Sequence, residues 1–429
     1  MPIPNAAEIA ELYNEMGYNI NPDTAQLDAM YGQKKRKHDM VMIIMADADI
    51  SAVINYFKTM SFCKADDSKY FNLKKIWVQE PVINIFTDSI VEAQLAKVVM
   101  LERLMLTAFR NNDEVIRAVN IETSREYGAS IWSENINSTQ NVAAALNTFI
   151  VWINTSSILD AFLLNIINTS ITADYAIPES NNLTRIISDG ASELSEKFHL
   201  FYDGQWKKPV KQEYWTGETD ILIANATEKD IMDCVVSAVR AFQAWSTTPL
   251  SKRKNVFQYL ADRIASTGSR IFLYSSRNYS LADSIIRWAN DPSVCETSTF
   301  FLKDDTVNLL VRRDPKGVIV VNSDNTEDLF RMVVYACITG NTVIITSSDY
   351  FCKTKLKYCD MFSSCQIPPG LVNILTFANL TPALQYMSNL FPISIITTGN
   401  VCVEDERICN PNRDLLKFTR TKFVWMSCK

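Results

Sequence analysis

The sequence predicts an α/β fold with parallel sheets in both halves of the chain. Two observations carry this. Short apolar runs such as Val41-Met42-Ile43-Ile44-Met45, Phe149-Ile150-Val151-Trp152-Ile153 and Val318-Ile319-Val320-Val321 have the length and composition of strands buried on both faces. Stretches of helical spacing alternate with them, the pattern of strand–helix–strand units. At about 150 residues per domain, a chain of 429 residues adds the expectation of two or three domains.

Taken in order, residues 1–34 hold a helical pattern, Ala6 to Met16, and are otherwise unassigned. After the Val41 strand, Asp47-Ala48-Asp49 supplies a cap for a helix beginning near Ile50. Lys75-Ile76-Trp77-Val78-Gln79 reads as a second strand. Ile85 to Phe109 reads as one long helix, with Val91, Leu95, Val98 and Val99 spaced for one face. Asp113 to Val119 is helical, Ala129-Ser130-Ile131-Trp132 a strand, and Ile136 to Leu146 a helix before the Phe149 strand. Residues 171–195, with Pro178-Glu179-Ser180-Asn181-Asn182, read as a linker between segments 35–170 and 196–429.

Beyond the linker, Leu200 to Trp206 reads as a hairpin turning on Asp203-Gly204. Thr227 opens a helix that runs to Trp245, and Leu250 to Ala265 forms another. Leu329 to Ile338 is a helix ended by Gly340. Val343-Ile344-Ile345 and Leu371 to Leu375 are further strands.

Composition narrows the function classes. The net charge is −6, which argues against broad nucleic-acid binding; the one basic run, Lys34-Lys35-Arg36-Lys37-His38, reads as a solvated loop. Ten cysteines without a C-x-x-C pair, and two distant histidines, His38 and His199, argue against a metal site. The cysteines read as free thiols in a reducing compartment, and with no secretory leader the expected location is cytoplasmic. The N-x-S/T matches at Asn137, Asn154 and Asn278 then carry no glycans. The most apolar stretch, Val142 to Ile167, is broken by Asn147, Asn154, Asp160 and Asn165, so no membrane span is expected. The chain has only 11 glycines, where average usage near 7% would give about 30. Glycine lets backbone approach a phosphate, so this shortage counts against nucleotide binding.

Several segments nevertheless resemble the aldehyde dehydrogenase superfamily. Phe201 to Trp206 is similar to its opening hairpin, and Ala226-Thr227-Glu228-Lys229-Asp230 through Trp245 to its first helix. Pro315-Lys316-Gly317-Val318, Gly340-Asn341-Thr342-Val343-Ile344 and Pro368-Pro369-Gly370-Leu371-Val372-Asn373-Ile374 resemble its cofactor-domain signposts, in family order. In the first half, Ile43 to Val53, Lys75 to Glu80, Tyr127 to Ser133 and Val151-Trp152-Ile153-Asn154 resemble the strands of its catalytic domain. The chain thus has the order of one copy's end followed by another copy's beginning. That order, and the ending Phe418 to Trp425, resembles aldehyde dehydrogenase family 16. The resemblance implies a partial catalytic and oligomerisation domain at 35–170, then a Rossmann-like cofactor-type domain within 196–429.

It also implies where chemistry should lie. The nucleophile, a thiolate that attacks the carbonyl, falls at Tyr70 or Ser68 by count; the nearest cysteine is Cys63, several residues early. The general-base run is Lys35-Arg36-Lys37-His38-Asp39, and Lys35 cannot accept a proton at neutral pH. The oxyanion slot is Thr326, one place after Asn325, with Asp324, Glu327 and Asp328 around it. Of the ribose-holding residues, Ser348 is kept and Asp349 replaces a glutamate. Gly399 keeps the first glycine of the pyrophosphate loop, while Glu404 fills the second. No counterpart of the Glu-x-Phe-Gly-Pro cofactor motif lies between Glu80 and Val119.

The expectation is therefore a dehydrogenase-like protein without catalysis, a scaffold or subunit with no cofactor, or NAD(P) if any binding remains. The alternative is an NAD(P)-dependent aldehyde oxidoreductase using Cys63 or a thiol from elsewhere. A third reading, an incomplete sequence of a longer family member, stays open. A homo-oligomer or protein partner is expected, because missing complementary halves would expose apolar surface.

Overall fold

The computed structural model describes residues 38–62, 71–95, 104–122, 128–155, 185–188, 197–216, 221–266, 280–295, 300–303, 307–323, 325–347, 359–390, 393–397 and 417–427. The first half contributes β1 (His38–Ile44), α1 (Ile50–Phe62), β2 (Phe71–Gln79), α2 (Ile83–Glu92) and β3 (Met105–Phe109). It continues through α3 (Asn112–Glu122), β4 (Gly128–Trp132), α4 (Ile136–Ala145) and β5 (Ile150–Ile153). The second half opens with six short strands: β6 (Arg185–Ser188), β7 (Lys197–Phe198), β8 (Leu200–Tyr202), β9 (Gln205–Lys207), β10 (Glu213–Thr216) and β11 (Leu222–Ala224). Helices α5 (Glu228–Trp245), α6 (Leu250–Ser266), α7 (Leu281–Ala289) and α8 (Pro292–Cys295) follow. After β12 (Phe300–Lys303) and β13 (Val307–Pro315) come β14 (Val318–Asn322), α9 (Thr326–Ile338), β15 (Thr342–Ser347), α10 (Cys359–Ser364), β16 (Val372–Thr376), α11 (Leu380–Leu390), β17 (Ser394–Thr397) and β18 (Thr419–Ser427).

The chain divides into two compact units that interleave in sequence. One gathers 21–173, 298–313 and 421–429; the other gathers 1–20, 174–297 and 314–420. In the first unit the sheet order is β12-β13-β18-β5-β4-β1-β2-β3. β18, β5, β4, β1, β2 and β3 run parallel, while β12 and β13 form an antiparallel hairpin. Three strands from late in the chain thus complete a sheet begun by the first half. β18 pairs residue for residue with β5, Phe423 opposite Ile150 and Trp425 opposite Trp152. Val41, Ile43, Trp77, Phe109, Ile131, Val151 and Val424 share one core. Lys422 is 1% exposed on β18, and its ammonium donates to the carbonyls of Leu146 and Ala144 at the end of α4. There it satisfies acceptors that the helix leaves open and meets the negative end of its dipole.

The second unit holds a sheet of order β17-β14-β15-β16-β8-β9, parallel from β17 to β16, and a small four-stranded sheet of order β6-β10-β11-β7. On one face α6, α7 and α9 bury Phe257, Ile285 and Val334 against Ile319 and Ile345. On the other, α5 and α11 bury Val235 and Leu384 against Val320 and Ile344. Thr227 caps α5 by accepting from Asp230 N–H while the Asp230 carboxylate accepts from Thr227 N–H, so Asp230 stays fully buried without an unmet acceptor. The β8–β9 hairpin turns on Asp203 and Gly204, both at positive φ, as its Asp-Gly sequence predicts.

Two expectations are corrected. The single helix from Ile85 to Phe109 is instead α2, ending at Glu92, and the parallel strand β3 beginning at Met105. Gln94 adopts φ +61° and stops α2, and Val91, counted on the buried face, is 66% exposed. The linker read at 171–195 includes β6 at Arg185–Ser188, which pairs antiparallel with β10. The rest of that stretch lies outside the described residues.

Candidate active site

In a parallel sheet the chain leaves a crevice where successive strands depart in opposite directions, at their carboxyl ends. Here the chain goes from β14 to β15 to β16 on one side, then returns to place β17 on the other side of β14. The switch point is therefore between β14 and β17, where Asn322 and Thr397 are paired.

The turn from β14 into α9 walls this crevice. Ser323 is buried; its hydroxyl accepts from Asn325 N–H and donates to Asn325 C=O, both at 3.2 Å. Asn325 is exposed and is the N-cap of α9: its Oδ1 accepts from Glu327 N–H at 2.8 Å and Asp328 N–H at 3.4 Å. Among the described residues its Nδ2 makes no hydrogen bond, which leaves this amide donor available. Thr326, the oxyanion slot by sequence count, is the first residue of α9 and partly buried. Glu327 and Asp328 occupy the first turn, where carboxylates are favoured by the helix dipole. Asp328 also holds Arg331 at 2.8 Å. The end of α9 that would attract an anion is thus already occupied by an amide oxygen and two carboxylates. Replacing Asn325 with Ala is expected to cost about 1 kcal/mol of stability, read by urea denaturation, as loss of a cap does.

The other positions singled out from the sequence, Lys35, Cys63, Ser68, Tyr70, Ser348, Asp349 and Gly399, lie outside the described residues. By chain position, Tyr70 directly precedes β2, and Ser348 directly follows β15. Between Glu80 and Val119, where no cofactor motif was found, stand α2, β3 and most of α3, and Glu80 pairs with Arg110 at 3.1 Å.

The described cysteines are free thiols. Burial pushes the thiols of Cys234, Cys337 and Cys359 well above their usual range, so they stay protonated at neutral pH. Cys365 shifts the same way, with burial again the largest cause. Cys295 is only partly buried and its thiol donates to Ala289 C=O at 3.3 Å. The buried thiols give a pH prediction. Above the usual thiol value the unfolded chain loses protons that the folded chain keeps, so stability falls as pH rises through about 9, by up to about 1.4 kcal/mol per pH unit for each such thiol. Urea midpoints measured from pH 7 to 10 are expected to decline over the upper half of that range.

Residues 203–390 match the aldehyde dehydrogenase family. This region is similar to the aldehyde dehydrogenase family. Among curated relatives of the chain is the aldehyde dehydrogenase LUC3 of Fusarium sp, 26% identical over 195 residues, covering 43% of this chain and 42% of that protein. Another is the 2-aminomuconic semialdehyde dehydrogenase of Bos taurus, 25% identical over 176 residues, covering 37% of this chain and 36% of that protein. The chain therefore spans about two fifths of the length of these relatives. Among solved structures, a putative aldehyde dehydrogenase from Burkholderia cenocepacia is 22% identical, with 47% of this chain and 45% of that chain covered and a TM-score of 0.40. The NAD+ complex of the Bacillus cereus aldehyde dehydrogenase is 17% identical, covering 48% and 46%, with a TM-score of 0.41.

The matched region takes in β14 and the turn into α9 and ends with α11, just before β17. Among the described residues, no group of three His, Cys, Asp or Glu side chains could hold a metal ion. No described helix is long and apolar enough to cross a membrane. Sequence reasoning put an oxyanion slot at Thr326 by count. It did not identify Asn325 as a cap, although an Asn two and three residues before acidic side chains at a helix start is a readable capping signal.

Proposed function

We propose that this chain is an aldehyde-dehydrogenase-like protein that does not oxidise aldehydes and acts as a scaffold or subunit. The observation that carries the reading is the α9 turn, where Asn325 caps the helix between Glu327 and Asp328. An oxyanion developing there would meet two negative side chains at short range. On α9 the guanidinium of Arg331 is already paired with Asp328 at 2.8 Å, which leaves it less available to a phosphate. No catalytic step is therefore derived through NAD(P). The substitutions at Lys35, Tyr70 and Glu404 support the same reading from the sequence, as does the glycine shortage. The order of segments supports a likeness to family 16, and the reading includes a cytoplasmic location and a homo-oligomer or a complex with a protein partner.

The free Nδ2 of Asn325 favours one second reading, an NAD(P)-dependent aldehyde oxidoreductase with Cys63 as nucleophile. Titration calorimetry with NAD+ and NADP+ separates the two. The scaffold reading expects no heat of binding at cofactor concentrations up to the millimolar range; saturable binding of either cofactor would favour the oxidoreductase.

A further inference from the structure

The second unit has a recess beside the carboxyl end of β16, lined by none of the residues of the turn from β14 into α9. Its volume is about 580 Å3, within the range of small-molecule sites. Its floor is apolar: Ile231 at the start of α5, Phe377 after β16, and Ala383 on α11, with Tyr386 one turn further on. Two of the exposed large apolar side chains, Ile186 at 53% and Val210 at 55%, also line it.

The walls are held in place before any ligand arrives. Asn225 ties two of them, its Oδ1 accepting from Ala378 N–H at 2.9 Å and its Nδ2 donating to Glu213 at 3.4 Å. Ala226 N–H donates to Thr376 C=O at 2.9 Å. Val210 N–H donates to the buried Asp230 carboxylate at 3.2 Å, and Ile186 is fixed by the pairing of β6 with β10 opposite Trp215. A preformed apolar recess does not pay the ordering cost that weakens binding to a mobile one. The charged side chains that line it are of both signs, Lys211 and Lys229 with Glu213 and Glu228, and Lys229 is itself paired with Asp233 at 2.8 Å. A net charge on the ligand would therefore find no matching field.

We propose that this recess is a binding site for a small, neutral, largely apolar molecule such as an aromatic or acyl compound. It is formed by residues on α5, α11, β6 and the loops before α5 and α11. It does not depend on whether the α9 crevice supports catalysis.

The test uses the full chain and the neutral fluorescent probe N-phenyl-1-naphthylamine. Saturable binding with one probe per chain is expected. Ile186→Glu and Val210→Glu change exposed positions and leave the fold intact by circular dichroism. Each is expected to weaken binding about tenfold or more, because the probe would then bury its apolar surface against a carboxylate. Val91→Glu, an exposed apolar position outside the recess, is expected to bind as the parent chain does. Ala383→Trp, which fills the floor, is expected to abolish binding. Non-saturable binding would overturn the proposal, as would equal affinity in the parent, Ile186→Glu and Val210→Glu chains.

Discussion

A chain ended after Lys417 is expected not to fold its first unit. The twelve residues removed include β18, which lies inside the sheet between β13 and β5. Its loss turns β5, whose four residues are all buried, into an open edge and separates the β12–β13 hairpin from the sheet. It also removes the buried side chains of Phe423, Val424 and Met426 and the Lys422 ammonium that closes α4. At about 1.5–3 kcal/mol for each large buried apolar side chain, the loss approaches the roughly 5–15 kcal/mol by which a domain is stable. An open, apolar central strand is also a template for aggregation. Size exclusion and circular dichroism are expected to show aggregated or unfolded protein. A synthetic peptide of residues 418–429, added during refolding, is expected to recover soluble material. A truncated chain as soluble and as stable as the parent would contradict the interleaved fold.

Replacing Gly370 with Ala is the single substitution expected to cost most. Gly370 has φ +82°, a conformation that strains any residue with a Cβ. A Cβ there would lie 2.6 Å from the Ser237 carbonyl oxygen and 3.0 Å from its carbonyl carbon, backbone atoms within α5 that cannot turn aside. Strain and overpacking together put the cost at about 3 kcal/mol or more, a fall of roughly 6–12 °C in melting temperature. Gly204 provides the comparison. Its φ is +71°, but a Cβ would meet Pro369 at 3.4 Å, an ordinary contact, so Gly204→Ala is expected to cost about 1 kcal/mol. Thermal melts of the two variants check the order.

The contrast with the overall glycine shortage is informative. Gly204, Gly317, Gly340 and Gly370 all stand at positive φ, in turns that the fold needs. By the resemblance to aldehyde dehydrogenases, Lys37 and His38 stand where the family has the glycine pair beside its general base, and Glu404 where it has the second glycine of its phosphate loop.

What could be read beforehand follows from how local each signal is. The strands at Val41, Ala129, Phe149, Val318, Val343 and Leu371 announce themselves because a strand buried on both faces is apolar at every position. The Thr227 capping box and the Asp203-Gly204 turn are equally local. β3 and β6 are short, and both stand at sheet edges, where fewer of their residues need be apolar; β3 exposes Met105 at 61%. The pairing of β18 with β5 joins residues more than 260 positions apart, and no local pattern carries it. The apolar recess escaped for the same reason. Its walls come from separate stretches around 186, 210, 227 and 380, each of which alone reads as a turn or a helix start.

The central claim, that the protein no longer performs hydride transfer, is tested most directly by a single-turnover experiment. Enzyme in excess over NAD+ or NADP+ is mixed with a panel of aliphatic and aromatic aldehydes, and absorbance at the reduced-nicotinamide band is followed. The account predicts no reduced cofactor in the parent chain, and none in Cys63→Ser. One equivalent of reduced cofactor in the parent, lost in Cys63→Ser, would contradict it and establish Cys63 as the nucleophile.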